Sequence, residues 1–537
     1  MNRKNQIKPF RPRSASLAGG VCVMTFLTLS SVLHGHSAVS AIPDGVSEEY
    51  FSGGRMGTVF NTTTRSMEMP APAVEADPEL LEQFTEGESL FDADFVIDPA
   101  APFGGLGPLY ISNSCRNCHP NYGRGRRVER FSEQFGNGYT VLVHTPDGKL
   151  VDGYLFMLQI FAEPPYEPLA KGVDIEWREF VDEYDNTYPD GTPYNAGTPR
   201  EGTLIYPYAD VIDPLLPLPE DYMVSLEATI GLYGTGLLDA IPAEDIIAMY
   251  ERQQAAPGII KGQHGGWITE EYDGKKHLKR FAWHNTRATL TNGPGANGIW
   301  NVPNITREDR PDLFASREWI DKQMELGHDT SRLTGPQPVE LDKDDLEDLK
   351  VWFSGLAVPA ARNLNHPQVQ RGKQLFYAAK CVTCHNPSWT TGKSDVIPGY
   401  ANQKIWPYTD LLMHDMGKAN CMACHQSKEV VAKTYTVPSI DEISPITEGL
   451  LSDRRERDHG IKTMNHGFRE TFRTPPLWAR GLMKSTADHS DMWHDLRARS
   501  FEEAILWHYG EGLEAREAFR NMPKDDREAL IAFLKSI

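Results

Sequence analysis

Six cysteines between residues 115 and 424 fall into three pairs, and each pair is written Cys-x-x-Cys-His. Cys115 and Cys118 are followed by His119, Cys381 and Cys384 by His385, and Cys421 and Cys424 by His425. Two thiols three residues apart lie on one face of a helical turn, where both can form thioethers to the vinyl groups of one porphyrin. The adjoining histidine then offers its imidazole to the iron as proximal ligand. Zinc knuckles and redox dithiols share the Cys-x-x-Cys spacing, but neither requires a histidine after every pair. The expectation is covalently attached haem c at three sites, with His119, His385 and His425 as iron ligands.

The seventh cysteine, Cys22, stands in a segment of another kind. Arg3, Lys4, Lys8, Arg11 and Arg13 precede an apolar stretch from Leu17 to Leu33 and a small-residue site at Val39-Ser40-Ala41. That is the order of a secretory signal peptide, expected over residues 1–41, and its removal would take Cys22 with it. The expected location is the periplasm, with no stable membrane insertion after cleavage. Losing five positive and no negative charges would move the formal charge from −20 to about −25. Such a surface disfavours nucleic acid and anionic lipid, and suits a basic or neutral small redox protein as partner.

These motifs need elements to hold them, and 537 residues are too many for one core. Residues 42–80 are rich in Pro, Ala, Thr and Met without periodicity, which suggests an extended arm. Gly87-Glu88-Ser89-Leu90-Phe91 stands before the first haem motif and Gly372-Lys373-Gln374-Leu375-Phe376 before the second, each reading as an amphipathic helix. Leu346 to Leu356 and Arg527 to Ile537 have helical spacing and close each half. Val358-Pro359 to His366-Pro367 reads as a connector. The expected fold is mainly α: two cytochrome-c-like haem domains in tandem, over 81–360 and 361–537. A β insertion is expected in the first, from a hairpin of Tyr139 to His144 and Leu150 to Gln159 about the turn at Thr145 to Gly148. Strand-like alternation follows at Asp174 to Tyr184. The third haem motif interrupts the second half.

Longer motifs carry a resemblance. Gly105 to Gly125, Gly234 to Pro242 (GTGLLDAIP), Gly372 to Pro387, Tyr408 to Gly417 (YTDLLMHDMG), Phe472 to Trp478 (FRTPPLW) and Met492 to Gly512 occur in this order. In them the chain resembles the bacterial di-haem oxidoreductase family of peroxidase-like and thiol-oxidoreductase-like proteins, related to di-haem cytochrome c peroxidases. The third haem motif is additional to a di-haem pattern. Leu496 stands where that family usually has Gly, and Phe281-Ala282-Trp283-His284 replaces a segment in which Lys usually follows the Trp.

The resemblance implies a haem-dependent oxidoreductase that passes electrons from a small redox donor to peroxide or another small oxidant. The haem at His119 would be the reactive one and the haem at His385 the relay. Pure electron transfer and a haem-dependent oxygenase are the alternatives on the same scaffold. A reactive iron needs a distal acid or base, for which Glu227 is the candidate, a surface carboxylate being the plainer reading. His414, Met416, Met492 and His494 are candidates for distal ligands because they sit in the resembling motifs. His508, Arg473 and Arg497 are candidates for contacts to haem propionates. Trp352, Trp478, Trp493 and Trp507 would wall the haems against water.

Overall fold

The helix expected before each haem motif is present, and each crosses a partner from the end of its half. The Pro78–Asp92 helix starts at Asp77, whose carboxylate accepts hydrogen bonds from the Glu79 and Leu80 amides, with Pro78 in the first turn where no N–H is needed. It packs on the Lys343–Gly355 helix, which opens with a capping box between Asp342 and Asp345. In the second pair the Pro367–Ala378 helix packs on the Lys524–Ser536 helix. Both crossings are made on a glycine. A Cβ at Gly87 would lie 2.2 Å from the Asp348 carbonyl oxygen, and one at Gly372 would lie 1.9 Å from that of Ala529. The absent side chain lets the backbones touch, and the Leu-Phe pairs that follow (Leu90 and Phe91, Leu375 and Phe376) are buried beneath.

These features come from a computed structural model that describes residues 47–131, 137–270, 273–291, 298–423 and 469–537. The expected signal peptide and Cys22, together with Cys424 and His425 of the third motif, lie outside the described residues.

Outside the helix pairs the expected fold class is corrected. Helix makes up 31 % and strand 16 % of the chain, so it is a mixed α and β protein and not a mainly α tandem of cytochrome-c-like domains. Among the described residues, strands form one three-stranded and six two-stranded sheets. The cause lies in composition: 45 glycines and 38 prolines break helices, and the segments between them alternate with the period of a strand. Gly172–Phe180 and Leu204–Ile212 are the longest such pair, antiparallel over nine residues.

The expected hairpin is also changed. Tyr139–His144 is a strand, but its antiparallel partner is Met223–Ala228, and a single bridge, His144 to Leu150, ties the expected turn. The long-range partner buries Val224 and Leu226 beside Val141 and Val143, while the Val151 and Leu158 amides donate to the carbonyls of Val143 and Val141 from the other side of the turn. The register sets Thr140 opposite Glu227.

The chain before the first helix and the connector between the halves are packed together. Thr58–Val59 pairs in parallel with Val358–Pro359, the Ala71 amide donates to the Gly355 carbonyl at 2.8 Å, and Val74 and Val358 are fully buried. The carboxylate of Glu49 accepts a hydrogen bond from the Tyr408 hydroxyl and pairs with Lys373. One core cluster accordingly includes both Met67 and Met483. No helix of the described residues is long and apolar enough to cross a membrane.

Candidate functional site

Cys115–Asn117 and Cys381–Thr383 are single helical turns, which bring the following histidine amide back to the first cysteine's carbonyl at 3.2 Å for His119 and 2.9 Å for His385. Each turn opens onto its own cavity. The first, about 1160 Å³, is lined by Cys115, Cys118 and His119. The second, about 1340 Å³, is lined by Cys381, Cys384 and His385.

The two histidines are prepared in the same way. Nδ1 of His119 meets the Gly123 carbonyl at 3.1 Å, and Nδ1 of His385 meets the Tyr408 carbonyl at 3.0 Å. A carbonyl can only accept, so the proton sits on Nδ1 and Nε2 keeps its lone pair. Burial pushes both imidazoles down to about 4, so each stays neutral near pH 7 and able to bind a metal. Burial raises the thiols of Cys115, Cys118 and Cys381 to about 12, which leaves almost no thiolate for thiol chemistry.

Beside the second cavity stands a group of cations. Arg124, Arg473 and Arg480 all line it. Their bonds run to main-chain carbonyls: Arg124 to Trp493 at 2.8 Å, Arg473 to Ala282 at 3.1 Å and Arg480 to Pro476 at 3.2 Å. Nε of Arg124 and Nη1 of Arg473 are buried without a hydrogen-bond partner. Burial first, and then the charge of Arg480, pushes Arg124 down to about 9 and Arg473 to about 10. Buried guanidinium groups in this condition need an anion, and the propionates of a haem would supply one. A porphyrin thus fits the donor set, the apolar walls and the unsatisfied cations. Arg497, the other arginine expected there, is committed to Asp495 at 2.7 Å and to the Ala419 carbonyl.

Of the residues singled out in the sequence, Glu227 lies in the first cavity with His119, together with Arg287 and Met157. Burial, only partly opposed by Arg469 and Arg287, raises its carboxyl to about 7. Met416, Met492 and His414 line the second cavity. His414 has both ring nitrogens engaged, Nε2 with Asp410 at 2.9 Å and Nδ1 with Glu511 at 2.6 Å. Against burial, which alone would lower it, Cys384 and Asp410 raise its pKa well above the usual imidazole value. His494 lines neither cavity; it is fully buried and stacked on Phe472 with ring centres 4.2 Å apart. Trp493 lines the second cavity, while Trp352, Trp478 and Trp507 are buried in the packing around the two sites. Cys421 is buried and disulfide-bonded, unlike the four free cysteines of the first two motifs.

Two residues carry more than sequence reasoning assigned them. Trp283 lines both cavities, held by a hydrogen bond from its indole N–H to the Ala228 carbonyl at 2.7 Å. In the sequence it stood out only as part of a departure from the family pattern. His508 faces His385 in the second cavity, with ring centres 6.4 Å apart. The other departure, Leu496, has φ 65°, the left-handed region that a glycine adopts without strain.

Two pinned histidines at two cavities, each next to a cysteine pair, are the arrangement of a two-centre haem redox protein. The family model described as "Di-haem oxidoreductase, putative peroxidase" matches residues 217–423 and 418–537, more than half of the chain, and the chain belongs to that family. No curated protein and no solved structure matches it.

Proposed function

We propose that this oxidoreductase is an exported, periplasmic peroxidase-type enzyme. Peroxide would be reduced in the first cavity, with electrons from a small redox protein arriving through the second. The observation that carries this reading is that Glu227 and His119 share one cavity and that the Glu227 carboxyl titrates near 7. Haem c, bound through Cys115, Cys118 and His119 and again through Cys381, Cys384 and His385, would supply the redox-active iron at both centres.

The chain's own residues then have separate tasks. Protonated Glu227 can give a proton to the leaving oxygen of a peroxide, and as carboxylate it can take one from the incoming molecule; a pKa near neutrality serves both. Arg287 and Arg469 hold positive charge near that carboxyl and limit how far its pKa rises. The carbonyls of Gly123 and Tyr408 fix the proximal imidazoles in one tautomer and one orientation. Trp283 lends its ring to the lining of both cavities and would shield them from water. A third haem would be held by Cys421, Cys424 and His425.

Met157 in the first cavity favours one rival, a pure electron-transfer protein in which that thioether closes the first centre. The test is the ferric holoprotein, examined by electron paramagnetic resonance with and without peroxide. One high-spin centre that is consumed on adding peroxide, with peroxide turnover when a reduced small cytochrome is supplied, is expected. Low-spin signals alone and no turnover would overturn the peroxidase reading in favour of the rival.

A further inference from the structure

We propose that His508 is the second axial ligand of the iron held at Cys381, Cys384 and His385, so that the second centre is closed by two imidazoles. The proposal rests on the reading that haem occupies this cavity.

His508 and His385 line the same cavity, and their ring centres stand 6.4 Å apart. Two iron–nitrogen bonds of about 2 Å together with the two ring radii span roughly 6 Å, so one iron fits between these rings as they stand. Both imidazoles are held in the same tautomer. Nδ1 of His508 is bound to the Ala504 carbonyl at 2.7 Å, as Nδ1 of His385 is to that of Tyr408, and both Nε2 lone pairs remain for a metal.

The His508 ring is held in place from several sides. It follows the Phe501–Leu506 helix, which Ser500 caps and which the Arg499–Glu503 ion pair ties at 2.9 Å. The Trp493 ring packs edge-on against it at 5.5 Å. On the far side the chain turns at Gly510 with φ 53°, and a Cβ at Gly512 would lie 3.0 Å from that of His508, so the turn leaves the imidazole little freedom. Among the other donors of this cavity, His414 would have to break bonds to both Asp410 and Glu511 before it could bind a metal. Met416 and Met492 line the cavity as well and are the competing ligands. Among the described residues, the lining of the first cavity contains no second histidine. A closed second centre would leave the first as the one where a small molecule reacts, unless Met157 binds there.

The holoprotein tests this through His508→Gly and His508→Met, with haem content of each variant read from its mass. Ferric His508→Gly should convert one haem equivalent from low spin to high spin, and added imidazole should restore the low-spin signal. His508→Met should stay low spin with a raised midpoint potential, since a thioether favours the ferrous state. If His508→Gly keeps its haems and its full low-spin signal, the assignment is overturned; transfer of the loss to Met416→Leu or Met492→Leu would name the true ligand. If His508→Gly does not fold, an unchanged spectrum and potential in His508→Met overturns the proposal by itself. A separate Cys381→Ala, Cys384→Ala variant that keeps all its haem would show that the cavity holds none, which is failure of the underlying reading and not of the ligand assignment.

Discussion

Replacing Glu227 by glutamine keeps the shape of the side chain and removes its charge, which separates what the carboxyl does for function from what it does to stability. Its pKa is raised from 4.5 to about 7, because burial outweighs the pull of Arg469 and Arg287. At about 1.36 kcal/mol per unit, that shift is worth about 3 kcal/mol. The carboxyl faces a cavity and is not packed on all sides, so about 2 kcal/mol is the better figure. Folding favours the protonated form here. The native state is unpenalised below the unfolded pKa, loses stability as the pH rises through the interval up to about 7, and bears the full penalty above it. Glu227→Gln should thus match the parent near pH 4 and exceed it by about 2 kcal/mol near pH 8 in denaturant unfolding of the holoprotein. Peroxide turnover should fall by about 10²–10⁴-fold, and the limb of the pH–rate profile near 7 should disappear. Equal stability at both pH values, with turnover within about threefold of the parent, would refute the acid–base role and the burial argument together.

Two further outcomes follow from packing and charge. Gly372→Ala drives a methyl group into the Ala529 carbonyl, and separating the helices should cost about 1–3 kcal/mol, read as a lower unfolding midpoint with haem content unchanged. Arg473→Gln removes a buried cation from the second cavity, so ferric iron there should be less disfavoured and its midpoint potential should fall; a rise in spectroelectrochemical titration would remove Arg473 from the role of propionate partner.

The helix pairs were legible because their signal is local and repeated: a glycine, then Leu-Phe, then a haem turn, with a second amphipathic segment at the end of each half. Glycine at the crossing is the physical reason the repeat could be seen at all. The sheets were not legible, since many of their strands are only two or three residues long and their partners lie far along the chain. Tyr139–His144 shows the difficulty: a good turn follows it, yet the strand's ladder partner is Met223–Ala228, some 80 residues away. At the site, Glu227 was singled out from the segment leading to Gly234-Thr235-Gly236, and the cysteine pairs through their spacing. His508 was noticed but given a lesser role, because what matters is its distance from His385, across 122 intervening positions in the sequence. Trp283 belongs to both cavities only once the chain is folded, and no spacing announces that.

The pairing of Thr58–Val59 with Val358–Pro359 has a meaning in time as well as in space. A ribosome finishes the first of these strands some 300 residues before the second exists, so the earliest part of the chain waits unpaired while the first Cys-x-x-Cys-His turn is made. Contacts so distant in sequence close last. That delay leaves the Cys115 and Cys118 thiols, which the finished fold buries, open to the enzymes that join porphyrin to protein. The strap that completes the core would then act as a late latch, shut after the first cofactor is in place.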